Sequence, residues 1–243
     1  MPRRGCVTDM RFLVLTFQAP AMSFSGPVID GAGNTARLPK LSAICGLIAN
    51  AIGLDRADVA DLEELQRQIV FAAREERAGQ EMMDFQTAKL SISDKGWTYN
   101  GVERRSGGPD TYLSPTILRR PFLADHMVTV VLGLTEGKFS IDQVVDALDR
   151  PARPIFLGRK SFLPSGPILN RSRDIFVDAE NALEALLSVT RLEGGDSPMH
   201  AIWPADCHGD GRMVDVYDIR DFASNRHSGM RKQNEGRISV ISS

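Results

Sequence analysis

Two cationic clusters and one scattered acid–base set are the residues of this 243-residue chain with chemistry in reach. The first cluster is Phe156-Leu157-Gly158-Arg159-Lys160-Ser161. An apolar stretch ending in glycine lets the backbone approach an anion closely. Arg159 can then grip phosphate as a fork, and Lys160, Ser161 and backbone N–H groups can complete the contacts. An exposed turn with two surface cations is the plainer reading of the same residues. The second cluster is Arg37, Lys40 and Ser42 at the entry of RLPKLSAICGLIANAIG, residues 37–53. Cations ahead of a helix N-terminus favour an anion there, because the first N–H groups of a helix have no partner within it. Tyr112, His126, His200, His208 and His227 are available for acid–base work, but no spacing assembles them into a site. Gly31-Ala32-Gly33 lacks the third glycine and the preceding strand of a dinucleotide fingerprint, and reads as loop. His208-Gly209-Asp210-Gly211 is better explained by a hairpin turn than by a metal. The sequence calls for no cofactor and no metal.

The elements that must position these residues follow from periodicity and punctuation. Residues 11–17, RFLVLTF, form a continuous apolar run that predicts a buried strand, followed by a loop over 18–35. Residues 42–53 predict a helix with Ser42 as N-cap and Gly53 as its left-handed end. Ile44, Leu47, Ile48, Ala51 and Ile52 make its core stripe, while Ser42, Ala43, Gly46, Ala49 and Asn50 make a small, nearly uncharged face. Asp55 or Asp58 caps a second helix over 59–68, with Leu62, Leu65 and Ile69 inward, and 69–74 is a strand. A second unit repeats the order. Residues 127–134 are a strand, and Ser140 with Gln143 opens a helix as a capping box. That helix has a stripe of Ile141, Val144, Val145 and Leu148, and 155–157 is a short strand. Two such units predict an α+β, ferredoxin-like palm.

Between the units, residues 80–118 read as a β-rich insertion standing off the body. Strands are expected at 89–93 and 97–99, and Asn100-Gly101 should turn WTY back onto VER as a hairpin. The tail is less regular, with a helix after Asp178 and strands at 200–203 and 213–219. Residues 1–9 and 233–243 are expected to be disordered tails, with Met10 a plausible natural start.

Composition bounds the partners. Hydrophobic residues are 42%, charged residues 25% and the net charge is −2, so nucleic-acid contact must come from local patches. Such pairs occur at Arg104-Arg105, Arg119-Arg120 and Arg159-Lys160. Cys6, Cys45 and Cys207 are far apart with no CxxC, which fits a reducing cytoplasm. No apolar run approaches the length of a membrane span, and residues 1–9 lack the apolar core of a secretory signal.

Four segments, in order, resemble the CasD-type RAMP subunit of the type I-E CRISPR surveillance complex Cascade. RFLVLTFQAPAMSFSG is similar to the family's opening strand and loop. RLPKLSAICGLIANAIGLDR is similar to its first helix. MDFQTAK is similar to the base of its protruding thumb, and RPIFLGRKSFLPSGPI to its glycine–arginine loop. The match covers residues 10–189 in outline. The resemblance implies a palm over 10–79 and 119–175, a thumb insertion over 80–118 and a C-terminal extension over 176–232. It further implies a cytoplasmic, non-catalytic antiviral subunit. That subunit would hold the 5′ handle of CRISPR RNA, cap the complex, and neighbour its backbone and large subunits, with target DNA reached only through the complex. RNA contact is then implied for Gln18, Ser23, Phe24, Arg37, Lys40, Ser42, Gln86, Lys89, Arg104, Arg105, Arg119, Arg120, Gly158, Arg159, Lys160 and Ser161. Three positions depart from the family pattern. The helix-entry cation is Lys40 where Leu41 now precedes Ser42, Gln86 replaces the thumb-base histidine, and Phe24 replaces the loop tryptophan. These residues would still offer a phosphate partner, a base-edge partner and a base-face partner. Two alternatives stay open: a metal-independent endoribonuclease in the same fold, using Tyr112 or His126, and a protein-interaction module without RNA.

Overall fold

The computed structural model describes residues 9–25, 34–88, 96–98, 101–103, 116–224 and 226–240. Its centre is a four-stranded antiparallel unit of β1 (Met10–Met22), β4 (Ile69–Arg77), β8 (Thr116–Leu134) and β9 (Phe176–Ala179). Their spatial order is β4-β8-β1-β9. The helices α1 (Leu41–Ile52) and α2 (Val59–Gln68) connect β1 to β4, and α3 (Ile141–Asp149) lies between β8 and β9. Two strand–helix–strand units interleaved this way form the ferredoxin-like palm that the element order predicts.

Burial on both faces explains why the central strands read as unbroken apolar runs. Leu13, Leu15 and Phe17 of β1 and Val128, Val130 and Leu132 of β8 pack with Ile44 and Ile48 of α1, Leu65 of α2 and Val144 of α3. On the opposite face Phe12, Ala72 and Val131 pack with Leu183 and Leu186 of α4 (Ala182–Ser188) and with Trp203. The capping box at α3 is formed in both directions, Gln143 N–H to Ser140 Oγ at 3.2 Å and Ser140 N–H to Gln143 Oε1 at 3.0 Å. Gly53 ends α1 at φ +97°.

Several boundaries differ from the sequence reading. β1 continues to Met22, pairing with β8 as far as Met22↔Leu123, so residues 18–22 are strand and not loop. Residues 155–157 are not a strand. The palm's fourth strand is β9, which pairs with β1 from Met10↔Ala179 to Leu13↔Phe176. Residues 157–175 follow the rest of that β1 edge through separate hydrogen bonds. Ser23 N–H reaches Leu157 O at 3.1 Å, Ser165 N–H reaches Gln18 O at 2.8 Å, and Thr16 N–H reaches Ile168 O at 2.9 Å. Pro164 and Pro167 have no N–H to give a regular ladder.

The tail is more ordered than expected. β10 (Met199–Pro204), β12 (Arg226–Ile238) and β11 (Gly211–Asp221) extend the same sheet beyond β4, in the order β4-β10-β12-β11. Residues 233–238, expected to be disordered, are strand. The Asn234 amide donates to Pro204 O and Cys207 O, both at 3.1 Å, and bare Gly236 makes room for the buried Trp203 ring.

The insertion begins as a ribbon. β5 (Gln80–Ala88) pairs with the outer half of β8, and β6 (Gly96–Thr98) pairs with β7 (Gly101–Glu103) as a hairpin, but one residue out of the expected register: Thr98 faces Gly101 and Trp97 faces Val102, so Gly101 is a strand residue and not part of the turn. The strand expected at 89–93 lies outside the described residues. β2 (Phe24–Ser25) and β3 (Thr35–Ala36) pair ahead of α1. No helix among the described residues is long and apolar enough to cross a membrane.

Candidate nucleic-acid interface

The loop Gly158–Ser161 is closed by its flanks. Leu157 N–H donates to Phe162 O at 2.8 Å, and Phe162 N–H donates back to Arg159 O at 2.8 Å. The loop is also pressed onto the end of β1. Gly158 has φ +99°, and a Cβ there would lie 1.9 Å from the Ser23 carbonyl oxygen. Glycine is therefore required by the protein's own backbone, which is a different reason from the close approach of a ligand that the motif suggested.

Arg159 points inward. Its Nη1 donates to Asp84 Oδ2 at 3.0 Å and its Nη2 to Pro121 O at 2.9 Å. The guanidinium lies 4.9 Å from the Phe162 ring centroid and 6.0 Å from that of Phe122. Burial pulls its pKa below the usual arginine value, and Asp84 opposes that. Gln86 donates to the same Asp84 oxygen at 2.7 Å. Arg159, Asp84 and Gln86 thus clasp the loop to the β5–β8 ribbon, and the fork expected for phosphate is already engaged. Lys160 and Ser161 are exposed at the loop's tip.

The N-terminus of α1 also has an internal partner. The helix starts at Leu41, with its N-cap at Lys40, two residues ahead of the expected Ser42, and Lys40 makes no side-chain capping bond. Asp218 of β11 fills that role, accepting the Leu41 N–H at 2.8 Å. Asp218 is fully buried and is held in turn by Arg231 through two bonds of 2.8 Å. Ser42 is therefore not the cap, and the anion at the helix end is a carboxylate of this chain.

The small face of α1 nevertheless opens onto a groove of about 280 Å3. Ser23 from β1, Lys40 and Ser42 from the helix entry, and Gly158 from the loop all line it, together with Arg220 and His227 from β11 and β12. Gly46 leaves it open, since no atom lies within 4 Å of where its Cβ would be. Burial, followed by Arg220 and Lys40, pushes the His227 pKa down, so the groove disfavours additional positive charge. Arg220 gave no signal in the sequence, and His227 stood out only as a scattered histidine, because both sit in a polar tail segment that reaches α1 only through the sheet. Cys45, on the buried side of the same helix, is no nucleophile, since burial pushes its thiol up to about 12.

The other expected contacts are dispersed. Gln18 lines a separate groove with Arg171 and Ser172. Phe24 is buried against Phe17, with ring centroids 6.4 Å apart, so its face is closed to a base. Arg37 is paired with Glu75 and also reaches Gly79 O. Arg119 and Arg120 are exposed on β8, opposite Phe85 and Asp84 of β5. Lys89, Arg104, Arg105 and Tyr112 lie outside the described residues. One ribbon face shows what the sequence reading missed: Met83, Phe85 and Ile117 are 55%, 58% and 50% exposed. They share that face with Arg119, through the pairs Met83↔Pro121, Phe85↔Arg119 and Thr87↔Ile117.

His126 is fully buried. Its Nδ1 accepts the Gly79 N–H at 3.0 Å, which leaves the proton on Nε2 to donate to Arg37 O at 2.7 Å. Burial, aided by the Arg37 charge, pushes its pKa below the ordinary value, against the backbone contacts at Arg37 and Arg77 and the Glu75 charge, which favour the protonated ring. Between the lowered folded value and about 6.5 the unfolded chain binds more protons at this position than the folded one. The stability that His126 contributes is therefore complete above about pH 6.5 and falls as the pH drops below it. Urea melts from pH 7.5 to 5 should show a loss on acidification that is shallower in His126→Gln; an identical slope in both proteins contradicts this assignment.

The sequence model of a family described as CRISPR-associated protein (Cas_Cas5) matches residues 12–233. The CRISPR system Cascade subunit CasD of Escherichia coli (strain K12) is 25% identical over 151 residues, which span 62% of this chain and 66% of that subunit. Among solved structures, a chain of a CRISPR RNA-guided surveillance complex superposes with a TM-score of 0.68 at 24% identity, covering 94% of this chain and 90% of that one. A second, described as a Cas protein, superposes with a TM-score of 0.62 at 25% identity, covering 94% of each.

Proposed function

This chain belongs to the CRISPR-associated Cas5 family, and from that premise we propose that it is a non-catalytic RNA-binding subunit of a Cascade-type antiviral complex, of type I-E, holding the 5′ handle of the CRISPR RNA. The observation that carries this reading is Gly46. Glycine in a helix interior costs about 1 kcal/mol relative to alanine, and here an added Cβ would touch nothing. Packing within the chain gives no reason for a glycine at this position. A ligand lying on the face beside Lys40 and Ser42 does.

In this reading Lys40 and Lys160 contact phosphates and supply most of the affinity. The hydroxyls of Ser23, Ser42 and Ser161 take sugar or phosphate oxygens, and the open face over Gly46 admits an unstacked nucleotide. Arg159 and Gln86 act indirectly, by fixing the ribbon against the loop. The ribbon face of Met83, Phe85 and Ile117 would lie against a neighbouring backbone subunit, with Arg119 at its margin, and the large subunit would be a further neighbour. An exposed apolar strip of this kind marks an interaction surface.

Two substitutions test the site from opposite directions. Gly46→Ala should leave stability equal or raise it by about 0.5–1 kcal/mol, while Gly46→Leu should melt close to the parent yet release RNA from the assembled complex. Retention of RNA by Gly46→Leu at parental salt would sink the reading. Lys40→Ala with Lys160→Ala should flatten the dependence of log K on log salt by about 1.4, at roughly 0.7 per single-strand phosphate contact. An unchanged slope, measured by filter binding of the complex, favours a protein-interaction role instead. The nuclease alternative receives no support at His126, whose two ring nitrogens are both engaged inside the fold. Specific cleavage of repeat RNA by the isolated protein in EDTA would restore that alternative.

A further inference from the structure

A second groove, of about 920 Å3, lies between the segment leading into α1 and the strands β10–β12. It shares Lys40 and His227 with the α1 groove, so the two adjoin at the helix entry. We propose that the RNA path continues from the α1 groove across this C-terminal sheet, which would make β10–β12 a second single-stranded RNA subsite. This rests on the RNA-binding reading above.

Three features favour a nucleic acid over a peptide. The open rim carries cations: the Arg212 side chain is 80% exposed, at 3.9 Å from its cross-strand partner Glu235, and Lys40 stands at the junction. Glu235, one of two carboxylates lining the groove among the described residues, is hydrogen-bonded by His200 at 2.8 Å, which reduces its repulsion of phosphate. The floor supplies apolar surface from Ile202 and Val214, and Tyr217 is 68% exposed beside it. Cations along a rim with apolar and aromatic surface between them is how unstacked bases and their backbone are held without sequence reading. The floor is also rigid at the junction, where Asp218 ties β11 to α1 and Arg231 of β12.

The test uses the assembled ribonucleoprotein. RNA carrying 4-thiouridine at successive handle positions is irradiated in the unmodified complex, and the crosslinked peptides are mapped. Crosslinks to β11 in peptides holding Val214 or Tyr217 are the expected result; crosslinks confined to the α1 groove, at residues 23–50, 156–162, Arg220 and His227, overturn the proposal. In parallel, Arg212→Glu should weaken RNA binding about tenfold at low salt and flatten the salt slope by about 0.7 to 1.4, without lowering the melting temperature of the exposed site. Parental affinity in Arg212→Glu, while Lys40→Ala with Lys160→Ala still weakens binding, overturns the second subsite and leaves the first standing. Loss of a protein subunit from the complex, with RNA retained, assigns the groove to a protein and also overturns it. If neither variant affects RNA, the RNA-binding reading and this extension fall together.

Discussion

Gly158→Ala lowers the melting temperature by about 10 °C and strips the complex of RNA. The left-handed conformation of Gly158 costs an L-residue about 1–2 kcal/mol before any contact is counted. The added methyl would then lie 1.9 Å from the Ser23 carbonyl oxygen and 2.9 Å from its carbonyl carbon. Both belong to backbone, which cannot rotate aside as a side chain would. Relief requires the loop to lift from β1, breaking the Ser23–Leu157 hydrogen bond and the Arg159 clasp to Asp84 and Pro121. A total of about 3 kcal/mol corresponds to a shift of roughly 6–12 °C for a domain of this size. The displaced loop takes Gly158 out of the lining of the α1 groove and moves Lys160 and Ser161 with it, so on the proposed RNA path binding is lost more completely than stability. A parental melting temperature in Gly158→Ala, measured by calorimetry, would show that the loop is not seated on Ser23.

Asp218→Ala is the second large effect, at about 3 kcal/mol. Asp218 is fully buried and answers two groups at once, the first N–H of α1 and the guanidinium of Arg231. Removing one member of a buried pair leaves the other charge uncompensated. Arg231 keeps only partial relief, from Gln233 Oε1 at 2.9 Å and the Phe71 ring at 5.3 Å. Hydrogen exchange of the Leu41 amide should accelerate, and the start of α1 should fray. The same variant separates two ideas about the helix entry. If RNA phosphate were meant for the position that Asp218 occupies, removing the carboxylate would unmask the site and tighten binding. The proposed path predicts no tightening, because it runs over Ser42 and Gly46 and not to the Leu41 N–H, which Asp218 already holds.

The palm's element order was readable because its signals are local. Buried strands are apolar on both faces, Ser140 and Gln143 form a box within four residues, and Gly53 ends its helix by its own conformation. Strand ends and pairings were not readable. β1 runs on through Gln18 and Pro20 because β8 is there to pair with it. β9 lies in a segment with no continuous apolar run, and residues 233–238 are ordered by pairing with β10 and by the Trp203 ring, which no window around the C-terminus contains.

For the candidate site, the sequence by itself determined which residues are candidates, among them Gly158, Lys160, Lys40, Ser42 and the small face of α1, since glycine, charge and side-chain size are properties of single residues. Only the tertiary structure decided what each of them faces. Arg159 is the same cation in either reading, but Asp84 and the rings of Phe122 and Phe162 turn it into a clasp. Lys40 stands beside Arg220 and His227, and Asp218 takes the helix end, because β11 and β12 fold back across α1 from far along the chain. A charge can be read one residue at a time, whereas its partner depends on which remote segment closes over it, and that is settled by sheet pairing and packing between segments distant in the chain.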